Sequence, residues 1–194
     1  MTSARIRRRR FVLAAILLAG AVVGLLALNG TFHHAAREIS LPLRHEDIIR
    51  QQAREKGIDP ALIAGVIYVE SRFIPGRTSP AGAEGLMQIT PETARDIARR
   101  SGGTQFTVQD LATPQINISY GTYLLRELLD RYDGDTAAAL AAYNAGPGNA
   151  DRWGGASLSA GEIPFPETRA YVEKVLQAQQ DYRARYGSEL GPAP

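Results

Sequence analysis

Residues 69–90, VESRFIPGRTSPAGAEGLMQIT, place an acid at the end of an apolar helix pattern and close on a Gly85-Leu86-Met87-Gln88 turn. Asp59-Pro60, just upstream, is a helix start with Asp as N-cap and Pro at the first helical position, and the run ALIAGVIYVES follows without a break. At helical spacing Ile63, Val66, Ile67 and Glu70 share one face, so Glu70 continues an apolar stripe. A carboxylate there loses hydration, and in the last turn it also meets the negative end of the helix; both effects raise its pKa. A rise of about two pH units costs the charged form about 2.7 kcal/mol, enough to keep much of a Glu protonated near neutral pH. That is what a general acid requires. Taken alone, Glu70 reads more readily as a solvated residue at a frayed helix end, and it is the residues after it that favour the acid.

The residues that follow add chemistry. Ser79-Pro80-Ala81-Gly82-Ala83 is a small-residue loop suited to close approach of backbone to a ligand. Gln88 brings an amide beside apolar neighbours, ahead of a new helix start at Thr90-Pro91. Far downstream, the small-residue helix expected at Thr136 to Asn144 ends in Ala145-Gly146-Pro147-Gly148, a stretch expected not to remain helical. Tyr143 and Asn144 therefore sit at a helix end, either facing a cleft or serving as a core tyrosine and a capping asparagine.

Five strings, Glu70-Ser71, Ser79 to Ala83, Gly85 to Gln88, Ala142 to Gly148, and Glu167-Thr168-Arg169-Ala170-Tyr171-Val172, stand in this order. Together they resemble the ordered motifs of soluble-lytic-transglycosylase-type (SLT) catalytic domains, over about Leu43 to Tyr186. The resemblance implies an all-α, lysozyme-like fold. It also implies peptidoglycan as the substrate, cut between N-acetylmuramic acid and N-acetylglucosamine with formation of a 1,6-anhydro end, and no cofactor. In that family one Glu acts as acid and then as base, which casts Glu70 in both roles. Ser79 resembles the serine that bonds substrate near the reacting sugar, Gln88 and Tyr143 resemble cleft residues near the acid, Asn144 belongs to the same motif as Tyr143, and Glu167 resembles a cleft residue on the last helix. Ser71 reads as a local cap that fixes the acid's loop. One departure is Ile89-Thr90-Pro91, where many members have Met before the proline; Thr90 is the better N-cap and the smaller apolar contact.

The chain has 194 residues, 44% of them hydrophobic, which suffices for one domain with a core. With no cysteine it has no disulfide, thiolate metal site or cysteine nucleophile. Its net charge of +2 misleads, because Arg5, Arg7, Arg8, Arg9 and Arg10 precede residue 11; setting these five aside leaves the remainder at −3. A mildly acidic folded part argues against a nucleic-acid-binding domain. His33 and His34 are adjacent and His45 stands apart, so no metal-ligand spacing exists and no metal is expected.

Residues 1–10 form a basic, cytoplasmic N-terminus. Residues 11–28, FVLAAILLAGAVVGLLAL, carry no charge and are just long enough to span a bilayer as a helix. The arginines before them orient the rest of the chain outward, toward the periplasm or wall. An uncleaved anchor is favoured over a signal peptide, since no clear small-x-small cleavage site follows. Residues 29–42 read as a linker, 43–186 as the catalytic domain and 187–194 as a tail. Helices are expected at His45 to Lys56, from Asp59-Pro60, from Thr90-Pro91 to about Arg100, at Pro114 to Arg131, at Thr136 to Asn144 and from about Glu167 to Tyr186, with a capping box at Thr107 to Asp110 and a loop over 154–164. Two other readings stay open: a muramidase-type hydrolase that uses water with Glu70 and Glu84, and an inactive module that docks on the wall or on cell-envelope machinery.

Overall fold

Helix starts and stops follow local chemistry. In the computed structural model, which describes residues 41–103 and 105–193, α1 (Glu46–Lys56) ends at Gly57 in the left-handed conformation and α2 (Pro60–Ser71) begins on Asp59, whose side chain accepts from the Ala61 N–H at 2.9 Å. α3 (Pro91–Ser101) is capped by Thr90, whose hydroxyl accepts from the Thr93 N–H at 3.2 Å. A 3-10 turn at Val108–Ala112 carries the Thr107/Asp110 capping box. α4 (Pro114–Arg131), α5 (Thr136–Ala145), α6 (Pro147–Trp153) and α7 (Pro166–Leu190) complete the helices. The basic N-terminus expected at residues 1–10, the membrane helix expected at 11–28 and most of the expected linker lie outside the described residues; among those described, no helix is long and apolar enough to cross a membrane.

Three expectations need correction. Gly146-Pro147 does end α5, but Pro147 at once starts α6, because a proline is well placed in a first helical turn where no N–H bond is needed. The 154–164 loop contains two 3-10 turns, Gly155–Ser157 and Ala160–Glu162, the second held by a Ser159/Glu162 capping box. The last helix also runs beyond Tyr186, bending there and ending at Leu190 with both residues buried.

Residues 43–194 form one compact unit. At its centre α2 and α7 pack antiparallel. Asp59, at the start of α2, bonds Gln179 Nε2 at 2.7 Å and pairs with Arg183, whereas Glu70, at its end, meets Tyr171 near the start of α7. Gly65 permits the close crossing: a Cβ there would lie 3.1 Å from both the Val175 carbonyl and the Gln179 N–H. From Pro60 to Ile67 every residue of α2 is buried, so this helix is apolar all round and not merely on one face. α5, with Ala138, Ala139, Leu140, Ala141 and Ala142 buried, packs against α4, α6 and α7. On α4 the expected residues Ile118, Leu125, Leu128 and Leu129 all face inward.

Candidate active site

α2 delivers Glu70 to the surface of this core, and the chain then turns away sharply. Arg72 and Phe73 both take positive φ, 57° and 60°, which is strained for residues with a Cβ. Phe73 holds the turn because its ring is buried against Tyr182, 6.0 Å between centroids. Ser71 is buried and its hydroxyl donates to the Ile67 carbonyl at 3.1 Å; it closes the last turn of α2 and does not fix the loop beyond.

Glu70 is half-buried, and Tyr171 Oη donates to its Oε1 at 2.8 Å. Burial pushes the Glu70 pKa up to about 7, while the Tyr171 hydrogen bond and the charge of Arg77 pull it down. Tyr171 and Tyr143 are both pushed well up, first by burial and then by the charge of Glu70, so both stay neutral donors through the physiological range. Tyr143 directs its own hydroxyl to the Met87 carbonyl at 2.8 Å. One carboxyl and two phenols, from α2, α5 and α7, thus share a desolvated corner.

The 77–89 segment forms the wall beside it. Glu84 and Ile89 exchange backbone bonds of 2.9 and 3.0 Å, and Gly85 N donates to the Arg77 carbonyl at 2.8 Å. Gln88, at φ 49°, gives its Nε2 hydrogens to the Arg77 and Gly85 carbonyls at 2.9 and 2.8 Å, which leaves only its Oε1 to face outward partners. Ser79 Oγ accepts from the Ala83 N–H at 3.0 Å and keeps its own hydrogen to donate. Glu84 is half-buried and accepts from Thr78 Oγ1 at 3.0 Å; it makes no bond to Glu70. Asn144 and Glu167 are exposed, and Glu167 lies one helical turn before Tyr171 on the same face of α7.

Three contributors escape sequence reasoning. Tyr171 sits inside the Glu167 to Val172 string, and its i+4 spacing from Glu167 was the available signal. Arg77 carries no pattern. Asn117, buried on α4, accepts from Met87 N at 2.7 Å and donates to the Glu84 and Leu111 carbonyls at 2.8 and 3.0 Å. It pins the turn that carries Gly85 to Gln88. The fit is tight, since a Cβ on Gly85 would come within 2.2 Å of Asn117 Nδ2, and one on Gly121 within 2.4 Å of Met87 Sδ. In sequence nothing singles it out, because Thr122 is a second polar residue on the same inward-facing side of α4.

The Transglycosylase SLT domain model matches residues 47–164. The soluble lytic murein transglycosylase of Salmonella typhimurium is 34% identical over 165 residues, covering 78% of this chain and 25% of that protein. A membrane-bound lytic murein transglycosylase C from Glaesserella parasuis is 36% identical, covering 72% of this chain and 46% of that protein. Among solved structures, an inactive variant of the lytic transglycosylase Slt from Pseudomonas aeruginosa superposes with a TM-score of 0.73 at 30% identity, over 81% of this chain and 26% of that one. The chain therefore spans about a quarter of the length of the soluble relatives that it matches.

Proposed function

The chain belongs to the transglycosylase SLT domain family, with its all-helical, lysozyme-like fold, and from that premise we propose that it is a peptidoglycan lytic transglycosylase using Glu70 as acid and then base. The observation that carries this reading is a half-buried carboxyl with a pKa of about 7, held at one oxygen by Tyr171. Both duties are then accessible near neutral pH.

With Oε1 engaged by Tyr171, Oε2 is the oxygen that meets the substrate. Protonated Glu70 gives its proton to the oxygen bridging N-acetylmuramic acid and N-acetylglucosamine. The C1–O bond breaks, and its electron pair leaves with that oxygen as a hydroxyl. Glu70, now a carboxylate, takes the proton of the muramic sugar's own C6 hydroxyl, whose oxygen bonds to C1. The 1,6-anhydro ring closes, the acid is regenerated and no water is consumed. A hydrolase of the usual kind needs a second carboxylate, and the nearest sequence candidate, Glu84, is engaged with Thr78.

Ser79 meets the glycan through its free hydroxyl hydrogen, Gln88 through Oε1, and Tyr143 through the cleft wall it builds on Met87. Asn144 and Glu167 contribute exposed polar groups at the ends of α5 and α7. Residues 11–28 anchor the protein in the cytoplasmic membrane, with 43–186 facing the periplasm or wall and 29–42 as tether. The uncharged run behind five arginines supports this, as does a relative whose own name calls it membrane-bound. A cell-envelope machine is a fitting partner for an anchored wall-cutting domain.

Mass spectrometry of fragments released from purified peptidoglycan tests the reaction. Products one water lighter than reducing-end muropeptides are expected, absent with Glu70→Gln although that variant still binds wall. Reducing-end products would refute the transglycosylase reading in favour of hydrolysis; wall binding without products would favour a docking module.

A further inference from the structure

Among the described residues two large hydrophobic side chains are exposed, Ile74 at 55% and Phe165 at 50%. A lone exposed apolar residue is ordinary. Phe165 differs in how firmly it is held. Pro164 and Pro166 flank it and restrict the backbone on both sides. Two residues before Phe165, the carbonyl of buried Ile163 receives two bonds from Arg169, at 3.0 and 2.6 Å. Behind the ring stands Trp153, edge-on, with 4.9 Å between centroids and 64° between planes.

The two segments that build the acid's corner also bring these rings together. α6 starts four residues after Tyr143 and ends on Trp153, while Phe165 immediately precedes α7, six residues before Tyr171. At the helical rise, Phe165 lies about 9 Å along α7 from Tyr171, a distance that a disaccharide bridges. Exposed Glu167, between them, is an acceptor for hydroxyl or amide hydrogens.

We propose that Phe165, backed by Trp153, is a stacking platform for a pyranose ring of the glycan strand, one disaccharide away from the bond that is cut. It rests on the transglycosylase reading and adds to it a specificity contact. The axial C–H face of a sugar is apolar and slightly positive, which suits the negative face of an aromatic ring. Because the ring is already fixed, binding loses little side-chain entropy. Glu167 meets the polar edge of the same sugar.

Trp153 is the only tryptophan of the chain, so its emission reports on the platform directly. The test uses the full chain in mild detergent carrying Glu70→Gln, which prevents turnover, titrated with soluble peptide-free glycan strands. Saturation should shift the Trp153 emission. Adding Phe165→Ala should weaken binding about tenfold, the effect of losing one such contact, and Phe165→Tyr should restore it. Unchanged melting curves would show that both variants are folded. If Phe165→Ala binds as tightly as its parent, or if Trp153 emission stays fixed at saturation, the platform is refuted while anhydro-product formation by the wild type keeps the transglycosylase reading standing. If the wild type neither binds nor cuts the strands, both fall.

Discussion

Glu70→Gln should make the fold more stable at alkaline pH and leave it unchanged in acid. The substitution keeps the shape of the side chain and an oxygen to accept from Tyr171, and it removes the titrating proton. In the folded wild type the carboxyl releases its proton near pH 7, and in the unfolded chain near 4.5. Between these values the folded state holds more protons than the unfolded one, so stability falls as pH rises. The benefit is fully present below pH 4.5 and is lost as pH rises through 7. Raising the pKa from 4.5 to about 7 corresponds to about 3 kcal/mol. The measurement is urea unfolding at pH 4, 6 and 8, followed by Trp153 fluorescence, with the variant compared against wild type at each pH. All other carboxylates titrate alike in the two proteins, so the difference isolates Glu70. The midpoints should coincide at pH 4 and separate by about 1.5 M at pH 8, variant higher, for a typical urea slope of about 2 kcal/mol per M. A gap that does not widen with pH, or a variant that is the less stable at pH 8, would refute the claim that burial dominates at Glu70.

Tyr171→Phe removes a hydrogen bond that lowers the Glu70 pKa, so the alkaline limb of the pH profile of kcat/KM should move to higher pH, with about 1 kcal/mol of stability lost; a limb that stays in place would show that the bond does not tune the acid. Asn117→Ala strips three buried bonds from the 84–87 turn and Leu111, and should cost about 2–4 kcal/mol in urea unfolding together with activity. Full-length protein should remain in the membrane fraction after an alkaline wash, and recovery of a soluble form beginning near residue 30 would overturn the anchor.

Much of the helical scaffold is legible in the sequence because its punctuation is local. Asp59-Pro60, Thr90-Pro91 and Thr107 to Asp110 specify caps through groups within three residues of one another. The position of Glu70 at the end of an apolar helix is local in the same sense, whereas the one-sided stripe expected of Ile63, Val66 and Ile67 gives way to burial of every residue from Pro60 to Ile67. Length and period do not say which helix packs on which. That α2 and α7 run antiparallel, close enough to need Gly65, follows from contacts more than 100 residues apart. Only that crossing brings Tyr171 to Glu70, and only packing of α4 against the 84–87 turn turns Asn117 into its support. The sequence by itself determined that a carboxyl, Glu70, ends the apolar helix, and where that helix begins and stops. The tertiary structure decided how far its pKa rises, because desolvation and a phenol from a distant helix act through space and leave no periodic trace along the chain.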